Sequence, residues 1–176
     1  MLTNIKHGKI DLSCIADGGF KPYKDGKIWS DELNRAFKTY REIFIPAGRY
    51  YVDRSLIVPS DTKIYADEHA EIVLTKGTGT LLLRNESVID GSDYKIPDDA
   101  PCDENISVCG GIWGEENEER LGYGVSGRFD ENDTYHGVST CFLFSGVRGL
   151  TLKNLVFRAA AGFACQLGRT DGFPRE

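Results

Sequence analysis

Seven carboxylates crowd the stretch from Gly114 to Thr140, namely Glu115, Glu116, Glu118, Glu119, Asp130, Glu131 and Asp133, and Arg128, His136, Tyr123 and Tyr135 lie among them. Ionised carboxylates accept hydrogen bonds, guanidinium and imidazole groups donate them, and tyrosine adds an aromatic face. That set suits a polyhydroxylated ligand such as a sugar, and Arg128, Asp130, Glu131, Tyr135 and His136 are the candidate substrate-binding residues. A solvated loop of about 25 residues without apolar periodicity has the same composition, and loops of that length are either functional or disordered.

Something must hold those residues, and the flanking chain consists of short β-branched runs. Ile43–Ile45, Leu56–Val58, Lys63–Tyr65, Glu71–Leu74, Leu81–Leu83, Ile106–Val108 and Gly111–Trp113 come before the polar stretch. Phe142–Phe144, Leu150–Leu152, Leu155–Phe157 and Phe163–Cys165 come after it, with Phe142 and Phe163 21 residues apart. A coil of three short strands needs roughly 20–25 residues, within the range of solenoid repeats. Only Lys153-Asn154 separates Leu152 from Leu155, too little for a βαβ crossover. The expected fold is all-β, a right-handed parallel β-helix; a sandwich or jelly roll of antiparallel strands fits short strands with turn signals too.

One helix is expected from Ser30, which reads as an N-cap followed by Asp31 and Glu32, with Leu33, Ala36, Phe37 and Tyr40 at helical spacing. Lying before the first coil, it suits a cap over the open end of a solenoid core, although a surface helix packed elsewhere has the same pattern. The chain reads as one domain over 1–176: an N-terminal segment with the capping helix over 1–42, then coils over 43–176 with a polar insert at about 114–140. A second polar excursion runs from Asp90 to Pro101.

A net charge of −6 without a Lys/Arg-rich run argues against a nucleic-acid partner. No apolar stretch is long enough to span a bilayer, and residues 1–20 lack the apolar core of a signal peptide. The protein is then cytoplasmic, or secreted with its signal removed. Five cysteines include no C-x-x-C pair and cannot all pair with one another; Cys109, Cys141 and Cys165 read as reduced core thiols. No phosphate-binding, dinucleotide or H-E-x-x-H motif is present, so neither a cofactor nor a metal is expected.

Asp17-Gly18-Gly19, Phe44-Ile-Pro-Ala-Gly-Arg-Tyr-Tyr-Val52, Asn105-Ile-Ser-Val-Cys-Gly-Gly-Ile-Trp113 and Leu150-Thr-Leu-Lys-Asn-Leu-Val-Phe157 together resemble the N-terminal coils of the pectate-lyase-like superfamily. Within it they are most similar to glycoside hydrolase family 28, the polygalacturonases and their relatives. The resemblance implies a right-handed parallel β-helix, a polysaccharide or oligosaccharide substrate and inverting hydrolysis by a carboxylate pair. It also implies an Asn-Thr-Asp segment, an Asp-Asp pair, a Gly-His-Gly and an Arg-x-Lys on later coils. Here Asp98-Asp99 lies upstream of the expected place, His136-Gly137 lacks the preceding Gly, and Arg169-Thr170-Asp171-Gly172 comes nearest to the first of these. Asp171 is therefore the candidate catalytic residue, and the same four residues also read as a turn closing the last strand.

Only nine residues follow Gln166-Leu167, without a capping pattern. The expectation is a piece of a longer protein whose catalytic coils lie beyond Glu176, or a chain that self-associates through an uncapped C-terminal coil. Hydrolase ancestry ranks first. A noncatalytic carbohydrate-binding or assembly module comes second, and a polysaccharide lyase third.

Overall fold

The computed structural model describes residues 7–15, 20–76, 78, 80–88, 103–116, 128–129, 135–136, 140–160 and 163–168. Strand predominates among them. β1 (His7–Asp11), the β2–β3 hairpin (Pro22–Tyr23, Gly26–Lys27) and α1 (Ser30–Thr39) come first. Then follow β4 (Tyr40–Ile45), β5 (Gly48–Val52), β6 (Leu56–Val58), β7 (Lys63–Leu74), β8 (Leu83–Asn85), β9 (Asp103–Glu104) and β10 (Ser107–Glu115). The chain continues with β11 (Arg128–Phe129), β12 (Tyr135–His136), β13 (Thr140–Ser145), β14 (Val147–Arg148), β15 (Thr151–Lys153), β16 (Val156–Arg158) and β17 (Phe163–Gly168).

Three parallel ladders organise these strands. The first runs β1–β4–β7–β10–β15 and aligns Ile43, Ile64, Val108 and Leu152. The second uses β5, the later halves of β7 and β10, and β16, and aligns Tyr50, Ile72, Trp113 and Phe157. The third runs β6–β8–β13–β17 and aligns Leu56, Leu83, Phe142 and Cys165. Four times in succession the chain visits the ladders in this order. Parallel pairing of all three ladders rules out the antiparallel sandwich and the jelly roll. The first two ladders share one sheet through β7 and β10 while the third is a separate sheet, so the pairing does not close into a continuous solenoid wall. The structure thus establishes an all-β chain of parallel sheets with α1 as the one α-helix among the described residues; no described helix is long and apolar enough to cross a membrane.

Alternation of side chains along a strand explains the core. Ile43, Ile64, Ile72, Trp113, Leu56, Leu83 and Phe142 face inward and are fully buried, whereas Phe44 and Tyr65, one position on, are exposed. The second and third ladders meet where Phe142 packs edge-on against Trp113 and Phe157, with ring centres 5.0 and 4.9 Å apart. Full burial of Trp113 and Phe142 contributes about 1.5–3 kcal/mol each. β10 bulges between Gly110 and Ile112, where Gly110 and Gly111 take φ of +79° and +82° and the Trp113 indole N–H donates to the Gly110 carbonyl at 2.9 Å. A Cβ on Gly110 would lie 2.1 Å from the Ala66 oxygen, so this Gly-Gly step is a requirement of the ladder.

The N-terminal segment covers the first edge of every ladder. β1 pairs with β4, Ile28 bridges to Tyr51 of β5, and the Asn34 amide on α1 accepts from the Ile57 N–H and donates to the Ser55 carbonyl beside β6. Unpaired edge groups are thereby satisfied, and Leu33, Ala36 and Phe37 are buried beneath the helix. Ser30 differs from its expected role: it is the first helical residue, and its hydroxyl donates to the Asp53 carboxylate at 2.7 Å and accepts the Asp53 N–H at 2.8 Å, anchoring α1 to the turn after β5. Tyr40 begins β4 instead of ending the helix. Among the described residues no strand pairs with the far edges of β15, β16 and β17, and Val156, Phe163 and Leu167 are exposed there.

Candidate functional site

The outer face of the second ladder carries the chemistry. Parallel register puts Arg49, Glu71, Ile112 and Val156 in one outward row and Tyr51, Val73, Gly114 and Arg158 in the next. Gly114 has no side chain, which lets the Arg158 backbone come close: a Cβ there would lie 2.5 Å from the Arg158 carbonyl oxygen. Beside these rows lies a groove of about 660 Å³ with Val73, Ile112, Gly114, Ala159 and Ala160 along its apolar parts.

Two charged clusters flank it. In the first, the Glu71 carboxylate takes Arg49 Nε at 3.2 Å on one oxygen and an Arg158 guanidinium nitrogen at 3.4 Å on the other. The Arg49 guanidinium also lies 5.3 Å from the Tyr51 ring centre. In the second, the Glu116 carboxylate accepts from the Lys24 ammonium and the Tyr23 hydroxyl, both at 2.6 Å, and from the Lys76 N–H at 3.4 Å. Burial pushes the Glu116 carboxyl upward, but Lys24 and Tyr23 outweigh it and hold the group below the usual carboxylate range. The hydrogen bond to Glu116 in turn raises the Tyr23 hydroxyl and the Lys24 ammonium above their ordinary values. Beside this cluster Tyr51 donates to Asp25 at 2.9 Å, which keeps Asp25 below its ordinary value. Glu115, paired with Leu74 in the ladder, is buried and lines the same groove.

A ligand in this groove meets apolar surface below and alternating hydrogen-bond donors and acceptors at the sides. Lys24 and Tyr23 keep the Glu116 carboxylate ionised, which makes it an acceptor and not a proton donor at neutral pH. Among the described residues no group of three or more His, Cys, Asp or Glu side chains is arranged to hold a metal.

Of the residues that the sequence points to, Glu115 and Glu116 come to the groove. Arg128 and His136 are partners in the antiparallel β11–β12 pair, with Phe129 opposite Tyr135. Asp130, Glu131 and Asp171 lie outside the described residues, as do Asp98-Asp99 and Asp17-Gly18-Gly19. Of the expected core thiols Cys141 is buried, whereas Cys109 and Cys165 are only half-buried. Cys109 falls on the outer row with Phe44 and Tyr65, because β10 presents Val108 to the core.

Lys24, Arg49, Glu71 and Arg158 escape the sequence reading because they are far apart in the chain and share no motif. The available signal is ladder spacing, which carries Arg49 to Glu71 over 22 residues and Glu71 to Ile112 over 41. Compared with known proteins, the chain matches no family model, no curated protein and no solved structure.

Proposed function

We propose that the chain is a polysaccharide-active protein built on a right-handed parallel β-helix, of the polygalacturonase-like glycoside hydrolase type, and that the groove on the second ladder holds part of a saccharide chain. The observation carrying this reading is the groove itself, an open channel across successive parallel strands with apolar surface between two clusters of donors and acceptors. The fourfold recurrence of the ladder order supports the β-helix. The Gly-Gly-Ile-Trp and Pro-Ala-Gly-Arg-Tyr segments support the family resemblance. Asp171 remains the candidate general acid or base, and Arg128, Asp130, Glu131, Tyr135 and His136 the candidate contacts of the insert.

A second reading is a noncatalytic carbohydrate-binding or assembly module. The ion pairing in the groove favours it: two guanidiniums engage Glu71, and Lys24 and Tyr23 hold Glu116 below the usual carboxylate range. An inverting hydrolase needs one carboxyl group that keeps its proton near neutral pH.

One experiment separates the readings. The chain is incubated with plant-type polysaccharides, and reducing ends, unsaturated products and retention on the immobilised polymers are measured together. New reducing ends without unsaturation support hydrolysis, unsaturated ends a lyase, and retention without cleavage the binding module. Neither cleavage nor retention overturns the saccharide reading.

A further inference from the structure

We infer that the second-ladder groove is built for an uncharged saccharide segment and discriminates against a polyanionic one. This rests on the saccharide reading above, and not on its polygalacturonase-like form, and it sets the ligand class apart from the acidic polymer which that likeness implies.

The argument starts from which charges are already committed. Arg49 and Arg158 converge on the two oxygens of a single carboxylate, that of Glu71, and Lys24 is bonded to Glu116 at 2.6 Å. An acidic sugar would have to take those cations from carboxylates that the fold holds in place. Glu71 and Glu116 have only a quarter and an eighth of their side chains exposed, so they cannot swing aside into solvent as a free surface glutamate would. The incoming carboxylate would also stand beside them, and like charges at such range repel.

A hydroxyl faces no such conflict. It donates one hydrogen bond and accepts two, so it can accept from the outward N–H groups of Arg49 or Arg158 while donating to Glu71. Neighbouring hydroxyls on a pyranose repeat this pattern without displacing either ion pair. The C–H face of the ring would lie on Ile112, Ala159 and Ala160, the accessible apolar residues of the groove. The chain's net charge of −6 acts in the same direction by repelling a polyanion at long range.

The test is affinity electrophoresis at low salt against neutral galactan, arabinan and xylan, and against polygalacturonate. The expected result is retardation by at least one neutral polymer and none by polygalacturonate. Glu71→Gln, a change at a part-exposed position, removes the charge that holds Arg49 and Arg158. It is expected to weaken the neutral interaction by roughly tenfold, the size of one hydrogen bond to a charged group, and to admit polygalacturonate. Retardation of the wild-type chain by polygalacturonate alone overturns the neutral assignment and leaves the saccharide reading standing. Retardation by none of the four overturns both, and an unchanged Glu71→Gln profile overturns the placement in this groove.

Discussion

Replacing Gly110 by Ala tests whether the β10 bulge is a structural necessity. At φ +79° an L-residue pays roughly 1–2 kcal/mol that glycine does not. The new Cβ would lie 2.1 Å from the Ala66 carbonyl oxygen, against a normal carbon–oxygen contact of roughly 3.3 Å. β7 and β10 must therefore part by about an ångström, which weakens one or two ladder hydrogen bonds worth about 0.5–1.5 kcal/mol each. The shift also loosens the packing of Val108 and Trp113, both fully buried. The sum is about 3–5 kcal/mol, a large share of a typical domain stability of roughly 5–15 kcal/mol. With a urea dependence of about 2 kcal/mol per molar, the unfolding midpoint falls by roughly 2 M. Gly8→Ala is the control: no atom lies within 4 Å of its Cβ position, and its stability should stay within about 0.5 kcal/mol of wild type. Equilibrium urea unfolding followed by tryptophan fluorescence reads both variants. If Gly110→Ala unfolds within about 1 kcal/mol of the Gly8→Ala control, the close approach of β10 to Ala66 is wrong, and with it the register of the first ladder.

Asn85 is fully buried, donating to Asp103 at 2.7 Å and the Ser145 carbonyl at 2.8 Å and accepting the Ser145 N–H at 2.9 Å. Asn85→Ala strands these partners and should cost about 2–4 kcal/mol, read as a drop of roughly 6–12 °C in thermal midpoint; an unchanged midpoint contradicts the network. Glu116 has a folded-state pKa below its unfolded value, so its stabilisation is present above roughly pH 4.3 and is lost as pH falls through the folded value. Glu116→Gln should therefore be less stable near pH 7 by on the order of 1–2 kcal/mol and converge with wild type in acid; parallel stability curves down to about pH 3 would refute the tether. At the far edge, exposed Phe163 and Leu167 on β17 should make the 176-residue chain self-associate with rising concentration in light scattering, and Phe163→Lys should suppress this; a chain monomeric at every concentration argues against an adhesive edge.

Much of the strand content was legible because the runs are short and β-branched and are punctuated by Gly, Asn, Asp and Pro. Leu56–Val58 was bounded as observed, and the helix began at Ser30. The absence of crossover-length helical segments in the sequence led to parallel ladders without βαβ units. Strand continuity was not legible: Lys63–Tyr65 and Glu71–Leu74 belong to one strand that bends between two ladders, as do the two halves of β10. The 21-residue repeat holds from Ile43 to Ile64, is 23 from Phe142 to Cys165, and becomes 44 from Ile64 to Val108 and again from Val108 to Leu152. Polar excursions lengthen the path between strands without disturbing their register, and periodicity counted along the chain cannot anticipate that.

What the sequence determined by itself was local: which residues are apolar at strand spacing, and where carboxylates accumulate. The tertiary structure alone decided which of those carboxylates meet a cation. Arg49, Glu71 and Arg158 become neighbours only because three strands far apart in the chain align in one ladder, and Lys24 reaches Glu116 only because the β2–β3 hairpin folds beside β5. Charge pairing depends on distances of a few ångströms, and such distances between remote residues are set by strand register and not by composition.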